Sequence, residues 1–235
     1  MKYYFDITDL VKFAQRNGSV TGIQRVQIRV LQHLSSITEK DKIFCVYAIS
    51  RLGGIRVCQS QDLFMNEIYS ASRILVRLGV ESPDEVFSKR ELYDDLAKYK
   101  KKSFRRVLRK FKLLVLGRLF PGFARVQMNL PPRLNENTNE QKTIETWTLK
   151  GFENHDHIVM IGTNWNTSAV ENLARQHSKR GGQVSQVIYD LIPLRYPQYC
   201  TDSVPKKFKA FLDRSRSFAT QYICISEATK NDLLG

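Results

Sequence analysis

The stretch Val184-Ser185-Gln186-Val187-Ile188-Tyr189-Asp190-Leu191-Ile192-Pro193 decides the fold class. Val184–Tyr189 has the length and β-branched content of a buried strand, and Pro193 stops any regular element soon afterwards. On its amino side, Gly181-Gly182 close a helix that Ser168 and Glu171 open as a capping box, with Val170, Leu173 and Ala174 on the inner face. Before that helix, His157-Ile158-Val159-Met160-Ile161-Gly162 reads as another strand. On the carboxyl side, Lys206–Phe218 is helical, Tyr222-Ile223-Cys224-Ile225 is a strand, and Ser226 caps one more helix. Strand alternating with helix predicts an α/β protein with a Rossmann-like, doubly wound parallel sheet.

The amino-terminal part extends the same pattern. Lys2–Thr8 reads as a first strand, Asp9–Ser19 as a helical turn or loop, and Thr21 as the cap of a helix. Ile23, Val26, Val30 and Leu34 recur at helical spacing and predict its inner face, with Gln24, Arg25 and Arg29 turned away. Lys42–Ile49 is a second strand, Gly53-Gly54 a turn, and Ile55-Arg56-Val57 the start of a hairpin partner. Ser82-Pro83 marks a helix start, residues 96–120 a basic helix, and Asn135–Gln141 a polar loop. The expectation is a single domain over residues 1–235, in which residues 60–145 form a partly helical, basic insertion.

Composition narrows the function classes. The chain has 235 residues, 42% of them hydrophobic, which is enough for a substantial core. No apolar run reaches the ~18 residues of a membrane span, and the start Met1-Lys2-Tyr3-Tyr4-Phe5-Asp6 lacks a signal-peptide core. Cys45, Cys58, Cys200 and Cys224 form no C-x-x-C pair, so free thiols and a cytoplasmic location are expected. His155 and His157 flank Asp156 and on a strand would share a face, but no further ligand is spaced with them, so no metal site is expected, and His33 and His177 lie in helices, where they are expected to face solvent or a domain edge.

Most of the formal charge of +14 sits in residues 98–125, which hold eleven Lys/Arg and no Asp or Glu. There Phe104, Val107, Leu108, Phe111, Leu114 and Val115 recur at helical spacing, with Arg105, Arg106, Arg109 and Lys110 beside them. That pattern suits a helix lying in an anionic membrane interface, and also a helix packed on the sheet with a solvated basic face. Nucleic acid is disfavoured, because no recognition module or aromatic platform accompanies the charge.

Strand ends carry the candidate site. Tyr189 and Asp190 stand at the carboxyl end of a parallel strand, where ligands bind in such folds. Asp190 equally suits a turn, bonding nearby amides. Trp165 and Asn166 follow another strand end, where an aromatic face suits a sugar ring and also suits packing of the loop. Thr21, Gly22, Gln24 and Arg25 lie at a helix amino terminus, a place suited to an anion. Ser226 and Glu227 begin a helix at a third strand end.

Four segments in order carry a resemblance: Tyr4–Leu10 with Thr21–Val26; Gly162–Trp165; Tyr189–Pro193 with Tyr196-Pro197; and Ile225–Leu233. Together they resemble the amino-terminal half of bacterial group 1, family 4 glycosyltransferases of the mannosyltransferase-like kind. The resemblance implies one half of a GT-B architecture: this half binds the acceptor, and a second Rossmann-like domain binds the donor. That second domain is not expected within these 235 residues, so the chain alone is expected to be inactive. The implied reaction is a retaining transfer of a hexose or deoxyhexose from a nucleotide-sugar to a lipid-linked or growing polysaccharide acceptor, at the inner face of the cell membrane. Tyr189 and Asp190 fall where relatives place catalytic residues. Thr21, Gly22, Gln24, Arg25, Trp165, Asn166, Ser226 and Glu227 fall where they contact substrate. Many relatives carry a histidine where this chain has Tyr189, whose ordinary pKa of about 10 makes it a poor base. In a retaining transfer the leaving diphosphate takes the acceptor proton, so no strong protein base is required. No cofactor is implied in this chain beyond the nucleotide-sugar of the complete enzyme. The partners implied are the acceptor, an anionic membrane and a donor domain on the same or a separate chain. The rival class is a non-catalytic, Rossmann-like adaptor for a membrane or a partner protein.

Overall fold

Tyr4, Phe5 and Asp6 are all buried, so β1 (Tyr3–Asp6) is covered on both faces and forms the middle of the sheet. The computed structural model describes residues 1–15, 20, 22–48, 54–64, 71–80, 95–97, 104–119, 143–163, 165 and 169–235. The strands are β1, β2 (Ile43–Ala48), β3 (Ile55–Gln59), β4 (Trp147–Leu149), β5 (His157–Met160), β6 (Gln183–Ile188) and β7 (Gln221–Cys224). They lie in the order β4-β3-β2-β1-β5-β6-β7. β2, β1, β5, β6 and β7 run parallel, whereas β3 and β4 add antiparallel strands at one edge. The fold is therefore a Rossmann-like, doubly wound α/β sheet, but a mixed one. The sequence shows the β2–β3 hairpin; the three-residue β4 is too short to leave a period-two signal.

Chain direction explains the layers. From β1 the chain winds to β2 through α1 (Thr8–Ala14) and α2 (Gly22–Ile37). From β5 it winds the opposite way, through α6 (Ala169–Lys179) to β6 and through α8 (Ser203–Ser215) to β7. Right-handed crossovers in opposite directions place their helices on opposite faces. Phe5, Ile7, Cys45, Tyr47, Val159 and Ile161 accordingly pack with Leu10, Val11, Ile28 and Leu31 from α1 and α2. Tyr4, Phe44, Val46, Ile158, Met160 and Val184 pack with Val170 and Ala174 of α6 and with Phe218. Ile188 packs with Phe208, Phe211 and Leu212 of α8.

Residues 60–80, read with the insertion, belong to the main core: α3 (Ser60–Phe64) and α4 (Ala71–Arg77) place Leu63, Phe64, Ile74 and Leu75 in the α1/α2 layer. The basic segment forms α5 (Phe104–Leu119) as expected. The helix start at Ser82, the polar loop at Asn135 and the cap at Ser168 lie outside the described residues. Among the described residues no helix is long and apolar enough to cross a membrane.

Two expectations fail for identifiable reasons. In α2 the core takes Gln24, Gln27, Ile28, Leu31 and Ser35, while Val26 and Val30 stay 42% and 37% exposed. The helix is rotated because both glutamines find one half-buried partner, described below. His177, expected at a solvent-facing or domain-edge position, is buried instead. Its Nε2 lies 2.8 Å from the Asp156 carbonyl oxygen, and its ring packs on Phe152.

The space His177 occupies exists because residue 182 has no side chain. A Cβ built on Gly182 would lie 2.1 Å from the His177 ring, whereas one on Gly181 meets nothing. Gly181 is required for another reason, its φ of +85° at the end of α6. Gly182→Ala is expected to displace His177 and destabilise the protein by about 1–3 kcal/mol. Gly181→Ala should cost about 1 kcal/mol. Urea denaturation of the two variants checks both, and Gly182→Ala should also change the histidine NMR signals.

Candidate functional site

The strand order reverses between β1 and β5, and in doubly wound sheets the crevice outside the carboxyl ends of such a pair takes the ligand. Asp9, in the first turn of α1, lies there. Its Oδ2 accepts hydrogen bonds from Gln24 Nε2 at 3.2 Å, Gln27 Nε2 at 3.3 Å and Thr163 Oγ1 at 3.2 Å. One carboxylate oxygen thus joins α1, α2 and the loop after β5. Asp9 Oδ1 has no partner among the described residues and is not among the buried polar atoms lacking one, so it is open to a ligand.

Three donors on one oxygen make this a prepared acceptor. The charge-assisted bonds fix the carboxylate, and its second oxygen is aimed without further ordering cost. A negative group is already present here, beside the first turn of α2. The site therefore favours a hydroxyl donor over a second anion such as phosphate, against the anion expected from the helix terminus alone.

Three of the sequence segments meet at the carboxyl edge of the sheet: Ile23 from α2, Gly162, Thr163 and Trp165 after β5, and Tyr189 and Asp190 after β6 line one pocket of about 30 Å³ with Phe208, and Asp9 joins it through its bond from Thr163. The fourth segment joins through Thr229 of α9 (Glu227–Leu234), whose Oγ1 donates to the Tyr189 carbonyl at 3.2 Å. Gly22 opens α2, and among the described residues nothing lies where its Cβ would be, so none of them demands glycine there. Gln24 belongs to the Asp9 cluster, and Arg25 is exposed. Thr21 and Asn166 lie outside the described residues.

Several candidates hold local roles. Tyr189 donates its hydroxyl to the Ile161 carbonyl at 2.9 Å. Burial, and after it the Asp9 charge, pushes the Tyr189 pKa well above the ordinary value. It therefore stays protonated, with its oxygen lone pairs left to accept a bond. Asp190 Oδ1 accepts from the Ile192 amide at 3.0 Å, the turn its sequence context allows. Trp165 packs edge-on against Phe208 at 5.4 Å, and its carbonyl accepts from Arg214 at 2.8 Å. Ser226 caps α9 by accepting from the Thr229 amide at 3.1 Å, and Glu227 pairs with Lys230 at 2.9 Å.

The metal-type residues at the other end of β5 separate. His157 points to Ser185 Oγ at 2.6 Å, whereas His155 pairs with Glu153 at 3.2 Å in the preceding turn. The expected shared face of the two histidines does not form. Glu153, unremarked in the sequence, joins His155 and Asp156 with potential ligand atoms within 4.8 Å of one another. One Asp156 oxygen already caps the Glu153 amide at 2.9 Å.

On α5, Val107, Leu108 and Phe111 are 54–66% exposed, with Arg105, Lys110 and Lys112 exposed beside them. Arg109 is different: its Nε is 3.0 Å from Asp95, itself only 5% exposed. Arg109, expected beside the apolar stripe with Arg105, Arg106 and Lys110, turns inward to Asp95 instead. The Arg106 side chain lies outside the described residues. No family model, no curated protein and no solved structure matches the chain.

Asp6, at the end of β1 beside this site, provides a pH test. It is fully buried and accepts from the Thr8 amide at 2.9 Å and from the Thr8 hydroxyl. Burial raises its pKa to about 6, more than the Thr8 bonds lower it. A raised carboxyl costs nothing below its unfolded pKa of about 4 and its full penalty above about 6. Relative to Asp6→Asn, the wild type should lose stability as pH rises from 4 to 6, by on the order of 3 kcal/mol. Urea midpoints of both proteins across pH 4–7 measure the difference, and parallel curves would contradict it.

Proposed function

We propose that this chain is the acceptor-binding domain of a retaining GT-B glycosyltransferase. It would serve transfer of a hexose or deoxyhexose from a nucleotide-sugar to a lipid-linked or growing polysaccharide acceptor. The observation that carries the reading is that the four glycosyltransferase-like segments meet at the carboxyl edge of the sheet: three line one small pocket, Thr163 ties that pocket to Asp9, and Thr229 ties the fourth segment to Tyr189. Asp9 Oδ1 accepts the acceptor hydroxyl, Tyr189 Oη accepts a second hydroxyl, and Trp165 gives the sugar an aromatic wall. In the complete reaction the bond from the sugar's anomeric carbon to the donor phosphate breaks and a bond to the acceptor oxygen forms. The hydroxyl proton passes to the leaving diphosphate. Asp9 orients the hydroxyl, and the donor is held by a separate domain.

The exposed apolar stripe of α5, flanked by Arg105, Lys110 and Lys112, supports peripheral contact with an anionic membrane surface. The same stripe favours the rival reading, a non-catalytic adaptor that binds membrane or a partner through its Rossmann-like domain. Binding of sugar at the Asp9 site separates the two.

Saturation-transfer NMR with methyl mannoside and methyl rhamnoside should detect binding to the 235-residue chain. Folded Asp9→Asn should weaken it about tenfold, the cost of one charge-assisted hydrogen bond. Thr163→Ala, which removes one of three donors to Asp9, should weaken it less. No glycoside binding, or full binding by Asp9→Asn, would overturn the acceptor reading in favour of the adaptor. Sedimentation with anionic vesicles should fall with rising salt. The triple variant Arg105→Glu, Lys110→Glu, Phe111→Ala should abolish it while leaving the Arg109–Asp95 pair intact. Unchanged sedimentation would remove α5 from the membrane role.

A further inference from the structure

We propose that the turn between β4 and β5 is a metal site, which binds a divalent transition-metal ion of the zinc type through Glu153, His155 and Asp156. One potential ligand atom from each residue lies within 4.8 Å of the other two. His155 Nε2 and Glu153 Oε2 are 3.2 Å apart. Two ligands of a tetrahedral zinc, at bonds of about 2.0–2.1 Å, are separated by roughly 3.3 Å. Glu153 thus supplies the ligand that the two histidines around Asp156 lack, and His157 turns away to Ser185. Asp156 itself calls for a cation. It is only 2% exposed, and its Oδ1 is buried without a hydrogen-bond partner. Its Oδ2 accepts one bond, from the Glu153 amide. Among the described residues no Lys or Arg pairs with Asp156 or Glu153. A carboxylate withdrawn from water is costly unless its charge and lone pairs are answered. Burial, and after it the charges of Asp156 and Glu153, push the Tyr4 pKa up to about 12, so both carboxylates act on one buried phenol.

The turn is held ready by its own bonds. The Asp156 amide donates to the Glu153 carbonyl at 2.9 Å, and His177 Nε2 lies 2.8 Å from the Asp156 carbonyl oxygen. Phe152 anchors the residue before the turn on Tyr4 and His177. The bond from the Glu153 amide orients the Asp156 carboxylate, the kind of outer support that metal-binding carboxylates have. The His155 and Glu153 side chains are 63% and 66% exposed, so an ion enters from solvent and these two side chains are free to close on it. The donor set selects the ion. An imidazole nitrogen with two carboxylates suits zinc and its transition-metal neighbours, whereas magnesium and calcium favour oxygen alone. Three protein ligands leave a fourth position to water. The site lies at the amino end of β5, opposite to Asp9, and is independent of the function proposed above. Its role is structural. The cation neutralises the two carboxylates and clamps the turn that leads the chain into the centre of the sheet, where His157 pairs with Tyr3.

Zinc titration of the purified, chelator-treated chain by isothermal calorimetry should show saturable uptake of one ion per chain. His155→Ala and Glu153→Gln, both at exposed positions, should each weaken it by about tenfold or more, without changing the melting of the metal-free protein. Asp156→Asn keeps an acceptor for the Glu153 amide and removes the charge. It should weaken zinc as much, while the metal-free fold melts no lower than the wild type. Zinc should raise the urea midpoint of the wild type and leave that of His155→Ala where it was. Cobalt(II) in place of zinc should shift the NMR signals of His155 and leave those of the exposed His33 unmoved. No zinc uptake, uptake that both exposed-position variants retain, or a cobalt shift at His33 in place of His155 overturns the inference. So does magnesium or calcium displacing zinc at equal concentration, since the cluster would then be an oxygen site for a different ion.

Discussion

Asp9 fixes the rotation of α2, and with it which side chains of that helix are packed and which are left at the surface. A glutamine side chain in a protein interior is costly unless its amide finds a partner. Gln24 and Gln27, three residues apart on one face, bring two amides to the same carboxylate oxygen. The helix settles with its polar pair inward and its valine stripe outward. Thr163 adds the loop after β5 to the same oxygen. One acceptor thus holds the start of α1, the start of α2 and the switch point of the sheet in register.

What the sequence made legible follows from how strongly each element is written in it. Ile43–Ala48 is a continuous apolar run, because parallel strands are buried on both sides. Gln183–Ile188 keeps only Val184, Val187 and Ile188 apolar, and it is the short length and the preceding Gly181-Gly182 that separate it from a helix. The inner face of α2 was misread because periodicity records where apolar residues recur, and not what they meet. Val26 and Val30 recur correctly but meet an open groove. The buried position of His177 is invisible for a related reason: it depends on the missing Cβ of Gly182, five residues further along and beyond the end of the helix.

The site was partly legible. Strand ends point to Trp165, Tyr189 and Asp190, since the fold class alone says where crevices open. Asp9 itself, the centre of the cluster, was not singled out. Its signal is weak: an acidic residue in a first helical turn usually serves the helix dipole. The pairing of Gln24 with Gln27 on a helix that begins close by is the clue in retrospect. Two amides on one helical face, next to an apolar stripe, imply a shared acceptor on the packed side of the helix. Chemistry at Asp190 was harder to judge, because the residue that shapes a turn and the residue that touches a ligand use the same oxygens.

Placing β1 in the middle of the sheet has a consequence for synthesis. β1 leaves the ribosome before both of its partners, and it pairs with β2 on one edge as soon as that strand follows. Its other edge pairs with β5, Tyr3 opposite His157. At the usual rates of translation the chain between β1 and β5 takes on the order of 8–30 s to appear. For that interval the nascent chain presents an unpaired inner strand of Tyr3, Tyr4 and Phe5, and pairings of such long range are slow to close. A nascent chain of this topology is expected to depend on holding chaperones until β5 and β6 emerge, and slowing translation downstream of β2 would lengthen the exposure.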